Sequence, residues 1–211
     1  MTDLPKKARA VIIGGGVIGC SVAYHLAKLG WKDILLLERK KLCCGTTWHA
    51  AGLIAQLRAT FNMTKLARYS AELYVKLEEE TGVATGYKRN GSIALALSND
   101  RLEEFARGAS MAKNLDVQAE MLTVEDCASS FPLANLDGVA GGLFLPEDGQ
   151  ADPMNIALAL AAGARQAGVT IKEDVRVTGI RKEKGRAVGV DTEFGPVDAD
   201  VVVNAAGMWG R

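Results

Sequence analysis

Three glycines in the pattern Gly14-x-Gly16-x-x-Gly19 can turn a backbone tightly, admit a pyrophosphate against the main chain and let a helix pack closely on a strand. About 20 residues further on stands Glu38, where a carboxylate accepts hydrogen bonds from a ribose with a free 2′-hydroxyl. The plainer reading of Glu38 is a solvated strand end beside Arg39, Lys40 and Lys41. Those three bases suggest a 2′-phosphate, and the acid at the strand end argues against it. The glycines do not say which dinucleotide is bound. A second segment, Gly45-Thr46-Thr47-Trp48-His49-Ala50-Ala51-Gly52-Leu53, combines small residues for close approach with two hydroxyls and one imidazole. It reads as a loop that walks beneath a long flat cofactor, with a side chain that is neutral and nucleophilic near pH 7.

These groups need a βαβ unit to hold them, and the pattern supplies one. Residues 10–13 are an apolar run too short for a helix, and the glycines stop it. Val17, Ile18, Val22, Leu26 and Leu29 then recur at helical spacing, Gly30 sits at the C-terminal cap, and residues 34–37 resume as a buried strand. Strand, helix, unit length and acid together make the glycines a dinucleotide fingerprint rather than a chance match. A nicotinamide domain would go on promptly to another crossover helix, which the segment after Glu38 does not do.

Beyond it the sequence predicts a helix over 62–80, a strand from Arg89 to Leu97, an amphipathic helix over 100–113 and a short helix opened by a capping box at Thr123 to Asp126 and ended by Pro132. A strand over 138–145 follows. Asp152-Pro153 starts an Ala-rich helix that Gly168 caps, residues 169–171 form a short strand, and strands over 175–181, 187–192 and 197–203 are joined by turns at Lys184-Gly185 and Gly195-Pro196.

Composition narrows the partners. With 25 Lys+Arg against 25 Asp+Glu the net charge is zero, so no basic field points to nucleic acid or an anionic membrane. No apolar run approaches the roughly 18 residues of a membrane span, and the start carries no signal core, so a cytoplasmic location is expected. Cys20, Cys43, Cys44 and Cys127 contain no C-x-x-C pair and are expected to be free thiols; no metal site is expected.

Gly-Thr-Thr-Trp-His-Ala-Ala-Gly-Leu resembles the signature of the dimethylglycine and sarcosine dehydrogenase family, FAD-dependent amine dehydrogenases of the D-amino-acid-oxidase-like superfamily. Similar segments recur in the family's order at Leu77 to Gly82, Asn90 to Ile93, Gly141 to Leu143, Asp148 to Pro153 and Ala159 to Ala164. The resemblance implies a Rossmann-type α/β FAD-binding domain over 1–87, interrupted by the start of an α+β substrate domain over 88–150 and resumed, incomplete, over 151–211. It implies cofactor contacts at Gly14, Gly16, Val17, Ile18, Gly19, Glu38 and Arg39, then at Gly45, Thr46, Thr47, His49, Ala51, Gly52 and Leu53. Val177 matches a valine whose backbone meets the adenine, and is equally an ordinary strand residue. Ala206 and Gly207 lie in a stretch similar to the second flavin motif.

At His49 the resemblance implies a covalent bond from a ring nitrogen to the flavin 8α-methyl group. The implied reaction is oxidation of the N-methyl group of sarcosine or dimethylglycine, with hydride equivalents passing to flavin N5. An electron-transfer flavoprotein would take the electrons, and folate would bind in a further C-terminal part. Catalytic acid-base residues are expected beyond Arg211, an abrupt boundary, the chain reading as the N-terminal portion of a longer enzyme. Arg58 meets either a substrate carboxylate or a surface salt-bridge partner. His25 reads as structural and Trp48 as pocket wall. The same family contains a non-catalytic regulatory subunit that keeps the fold, which the fold alone does not exclude.

Overall fold

The computed structural model describes residues 4–210; the opening residues 1–3 and the boundary residue Arg211 lie outside them. In chain order the elements are β1 (Lys7–Ile13), α1 (Val17–Lys28), β2 (Ile34–Leu37), β3 (Leu53–Ile54), α2 (Phe61–Thr81), β4 (Ser92–Ala96), α3 (Asn99–Lys113), β5 (Glu120–Leu122), α4 (Val124–Ser130), β6 (Gly141–Leu145), β7 (Gly149–Gln150), α5 (Pro153–Gln166), β8 (Thr170–Lys172), β9 (Val177–Glu183), β10 (Arg186–Thr192) and β11 (Gly195–Asn204), with single 3-10 turns at Thr47–His49 and Gly207–Trp209. Their contacts divide the chain into two compact units. One holds residues up to 51, 76–86 and those from 152 onward; the other holds 52–75 and 87–151.

In the first unit β1 alternates exposed and buried residues from Lys7 to Ala10, but Ala10, Val11 and Ile12 in succession are wholly buried, and all four residues of β2 are buried too. Continuous burial suits parallel strands covered on both faces. β1 lies between β2 and β11 and parallel to both, β8 extends the sheet beyond β2, and β10 and β9 finish it antiparallel, in the order β8-β2-β1-β11-β10-β9. One face carries Val11, Leu35, Leu37, Val175, Val190 and Val197 as a buried cluster. Each such side chain contributes about 1.5–3 kcal/mol on burial. α1 and α5 pack against each other so closely that a Cβ on Gly163 would lie 2.8 Å from the Tyr24 ring. Asp152 caps α5, its Oδ1 accepting from Met154 N at 2.8 Å and Asn155 N at 3.0 Å, with Pro153 at the first helical position. The end of α2 belongs here because Tyr24 and Lys28 both donate to Glu80 and Gln166 donates to the Thr81 carbonyl.

In the second unit β4, β6 and β5 form an antiparallel sheet in the order β4-β6-β5. Phe105, Ala109 and Ala112 of α3 bury against Ala96, Leu143 and Leu145. Ser98 caps α3, and the expected capping box of α4 is complete, Thr123 and Asp126 bonding reciprocally. β3 pairs with β7, and the buried carboxylate of Asp148 accepts from Gln56 N at 2.8 Å and Ser92 Oγ at 2.6 Å. Those bonds draw residues 52–75 into this unit, whereas the sequence reading begins the insert at 88.

Several boundaries differ from expectation for local reasons. The strand expected from Arg89 starts at Ser92, since Gly91 takes φ +76. The strand expected from Gly138 starts at Gly141, because the Val139 amide bonds back to Leu136 in a turn. The expected Gly195-Pro196 turn is instead the start of β11, where Pro196, its second residue, faces Asp191 ahead of the residues that pair with β1; the turn lies at Glu193 and Phe194. β5 is a strand of three residues without a readable period.

Candidate functional site

The C-terminal ends of β1, β2 and β11 open on a cleft of about 460 Å³, within the span of ligand clefts. Each glycine of the loop beneath it meets a different constraint. Gly14 has φ +104, and a Cβ there would stand 2.6 Å from the Ala205 carbonyl oxygen, so β1 and β11 leave the sheet side by side. Gly19 lies against the Gly14 carbonyl with no space for a Cβ, which is the close helix-on-strand packing expected of it. Gly16 has ordinary extended backbone and faces the cleft; a Cβ there would meet only Thr47 Oγ1, at 3.1 Å. Gly15, which the spacing rule leaves unspecified, is held as tightly, since a Cβ would run into Leu42 and stand 3.0 Å from Glu38 Cβ.

Glu38 immediately follows β2 and is 8% exposed. Its Oε2 accepts from Gly15 N at 2.7 Å and its Oε1 from Lys40 N at 3.0 Å, so two backbone donors hold a carboxylate at the cleft wall. The neighbouring Cys44 thiol points at Oε1 from 3.7 Å, and burial followed by that carboxylate pushes its pKa up. Gly16 stands at the N-cap of α1, whose first turn holds no acidic residue, so nothing within the helix offsets its positive end beside the cleft. The Val17 N–H, which has no partner within the helix, donates to Thr47 Oγ1 at 3.0 Å. At the far side Arg39 lies over the Trp209 ring, 4.3 Å from its centroid, and that ring packs tightly on Gly45, where a Cβ would be 3.2 Å away.

Of the residues read from sequence, Gly14, Gly16, Glu38 and Arg39 line the cleft, as do Gly45, Thr46, Thr47, Val177, Ala206 and Gly207. Val17 and Ile18 belong to α1, and Gly19 is buried behind the loop. His49 and Ala51 are exposed and outside the lining, while Gly52 and Leu53 belong to the second unit, where Gly52 O accepts from Ala151 N. Trp48, expected as pocket wall, is instead 53% exposed and stacks on His49 with ring centroids 3.8 Å apart. His25 bonds through Nδ1 to the Ser21 carbonyl at 2.7 Å and edges onto Tyr24, the structural role expected. Arg58 forms no salt bridge among the described residues; its N–H and C=O both engage the buried Thr64 hydroxyl. Sequence reasoning missed Val175, Arg176, Thr178 and Ile180, which line the cleft around Val177, and Trp209. A basic residue, Arg176, soon after Glu173-Asp174, and an aromatic two residues past Gly207, were the available signals.

Residues 9–211 match the family model described as FAD dependent oxidoreductase. The chain belongs to that family. It is 41% identical over 210 residues to mitochondrial dimethylglycine dehydrogenase from Homo sapiens, covering all of this chain and 24% of that protein. It is also 41% identical over 206 residues to the mitochondrial pyruvate dehydrogenase phosphatase regulatory subunit of Mus musculus, covering 98% of this chain and 24% of that one. The chain thus spans about a quarter of the length of these relatives. Among solved structures it superposes on L-proline dehydrogenase from P. horikoshii with a TM-score of 0.91 and 29% identity, covering 98% of this chain and 55% of that one. The family is FAD-dependent, and the cleft meets its requirements: a backbone cradle that a Cβ would fill, the positive end of α1 and a buried carboxylate held by two amides.

Proposed function

We propose that the protein carrying this chain is an FAD-dependent dehydrogenase that oxidises the N-methyl group of sarcosine or dimethylglycine. The observation that supports it most is the glycine cradle joined to Glu38, continuous in sequence with the Trp48-His49 segment. In this reading Gly14, Gly16 and the start of α1 take the pyrophosphate, Glu38 takes the ribose hydroxyls, and Arg39 with Trp209 borders the entrance. FAD supplies the two-electron acceptor that takes the substrate to the level of an iminium, which water or a folate bound elsewhere in the protein captures. An electron-transfer flavoprotein is the proposed acceptor. His49 is proposed to carry the flavin. A bond from its ring nitrogen to the 8α-methyl carbon would release one proton from each partner and two electrons, which dioxygen would take up as hydrogen peroxide.

A regulatory role without catalysis is the second reading, supported by the equal identity to a phosphatase regulatory subunit. The whole protein, purified and mixed anaerobically with sarcosine or dimethylglycine, separates the two. Bleaching of a yellow flavin spectrum within turnover time supports the dehydrogenase; a stable spectrum with both substrates supports the regulatory subunit. Flavin that stays with the acid-precipitated polypeptide supports the His49 linkage, and complete release rejects it.

A further inference from the structure

We infer that Thr47 is a positioning residue which registers the Trp48-His49 turn on the N-terminal end of α1, and so sets His49 for its bond to the flavin. The inference rests on the reading that His49 carries that bond. α1 begins at Gly16, which has no side chain to cap it, and the missing acceptor comes from 30 residues downstream: Val17 N–H donates to Thr47 Oγ1 at 3.0 Å. Thr47 is the buried member of its turn, while Trp48 and His49 beside it are exposed and stacked on each other. A single 3-10 turn does not hold its own place in a fold. The turn packs on α5, and two hydrogen bonds tie its segment to the start of the first helix: the Cys43 N–H to Gly15 carbonyl bond, 2.9 Å, before it and the Thr47 hydroxyl within it. The first anchors on the glycine loop and the second on the first residue of α1, so the segment that bears the imidazole and the loop that faces the pyrophosphate share one frame. A hydroxyl that accepts from Val17 keeps its own O–H to donate elsewhere, which a carboxylate in that place would not. A carboxylate there would also set a negative charge against the helix end that the phosphates need.

The direct test compares Thr47→Val, which keeps the shape and removes the acceptor, with Thr47→Ser, which keeps the hydroxyl. Flavin-free whole protein is mixed with saturating FAD, and total bound flavin and acid-precipitable flavin are followed in time. Thr47 lines the cleft, so the comparison is made per flavin bound at saturation: with Thr47→Val the acid-stable share of the bound flavin should form about ten- to a hundredfold more slowly. Thr47→Ser should restore the rate. Linkage at the unsubstituted rate in Thr47→Val overturns the inference alone. Loss of bound flavin at saturation also overturns it, by making Thr47 a determinant of binding rather than of placement. Complete release of flavin from the unsubstituted protein overturns both the inference and the His49 linkage on which it rests.

Discussion

Glu38 is bonded to the glycine loop it faces, its Oε2 accepting the Gly15 amide at 2.7 Å across 23 residues of sequence. The carboxylate therefore fixes the loop before any ligand arrives and orders the end of β2 through Lys40 N. Removing it should cost both stability and cofactor. Glu38→Gln leaves one backbone donor without an acceptor, about 1–3 kcal/mol, and Glu38→Ala strands both, about 3–5 kcal/mol. Urea unfolding of the two variants gives the difference. Equal stability of Glu38→Ala and the unsubstituted protein would mean that the two bonds do not form in solution.

The glycines should separate under substitution by alanine. Gly19→Ala forces a methyl into the Gly14 carbonyl, whereas Gly16→Ala meets only Thr47 Oγ1 from an allowed backbone. Gly19→Ala is expected to lose about 2–4 kcal/mol of stability, as overpacked or strained sites do. Gly16→Ala should stay within about 1 kcal/mol yet hold flavin less tightly, since its methyl stands where the pyrophosphate approaches. Paired measurements of melting temperature and flavin content decide it; a Gly16→Ala protein with unchanged flavin affinity would remove Gly16 from the binding site.

The elements that carry this site were legible because their patterns are local. Ile34–Leu37 has nothing but apolar residues, Asp152 and Pro153 announce a helix start, and Gly14 to Gly19 has a fixed spacing. What escaped depends on chain neighbours far apart in sequence. Trp209 enters the site only because β11 lies beside β1, and Val175 because its amide bonds to the Glu38 carbonyl and so brings the chain leaving β8 to the end of β2. Gly15 looks interchangeable in a motif, yet the Leu42 and Glu38 side chains fill its space. The second-unit membership of 52–75 rests on Asp148, a side chain 92 residues from the Gln56 amide it holds.

The thiols should differ sharply in reactivity. Burial pushes Cys20 up to about 12 and Cys43 up to about 11, so at pH 8 Cys43 is about one part in a thousand thiolate and Cys20 less. Cys44 is exposed and should be alkylated first. Mass spectrometry after brief iodoacetamide treatment at pH 8 should find the label on Cys44, and adding ADP should slow it, since Cys44 lines the cleft. Modification of Cys20 at a comparable rate would show that α1 opens readily.

The same shift predicts an alkaline limit. In the unfolded chain a thiol loses its proton near 9, and in the folded protein Cys20 keeps it until about 12. The folded state therefore binds the extra proton between those values, and stability falls as pH rises through that window by about 1.4 kcal/mol per unit for this group. Below 9 the contribution is constant. Cys20→Ala should flatten the loss between pH 9 and 11 while costing little at pH 7. A slope in that variant equal to the unsubstituted one would assign the alkaline limit to other groups.

Asp148 offers the clearest test in the second unit. Its carboxylate is 1% exposed and accepts from Gln56 N and Ser92 Oγ, while its own backbone oxygen accepts from Gly91 N. One residue thus joins the segment after β3, the start of β4 and the turn before β7. The side chain of Gln56 adds a bond to the Glu147 carbonyl at 2.7 Å, so the junction is reinforced from both sides. Asp148→Ala leaves a buried amide and a hydroxyl without acceptors and should cost about 3–5 kcal/mol. Asp148→Asn keeps one acceptor oxygen and should cost less, about 1–3 kcal/mol, with the Gln56 amide or the Ser92 hydroxyl left unsatisfied. Ser92→Ala then separates the two bonds: added to Asp148→Asn it should be nearly silent if the asparagine oxygen has turned to Gln56, and additive if it has turned to Ser92. Hydrogen exchange at the Gln56 amide reads the same choice directly, since that proton stays protected in Asp148→Asn only when the oxygen faces it.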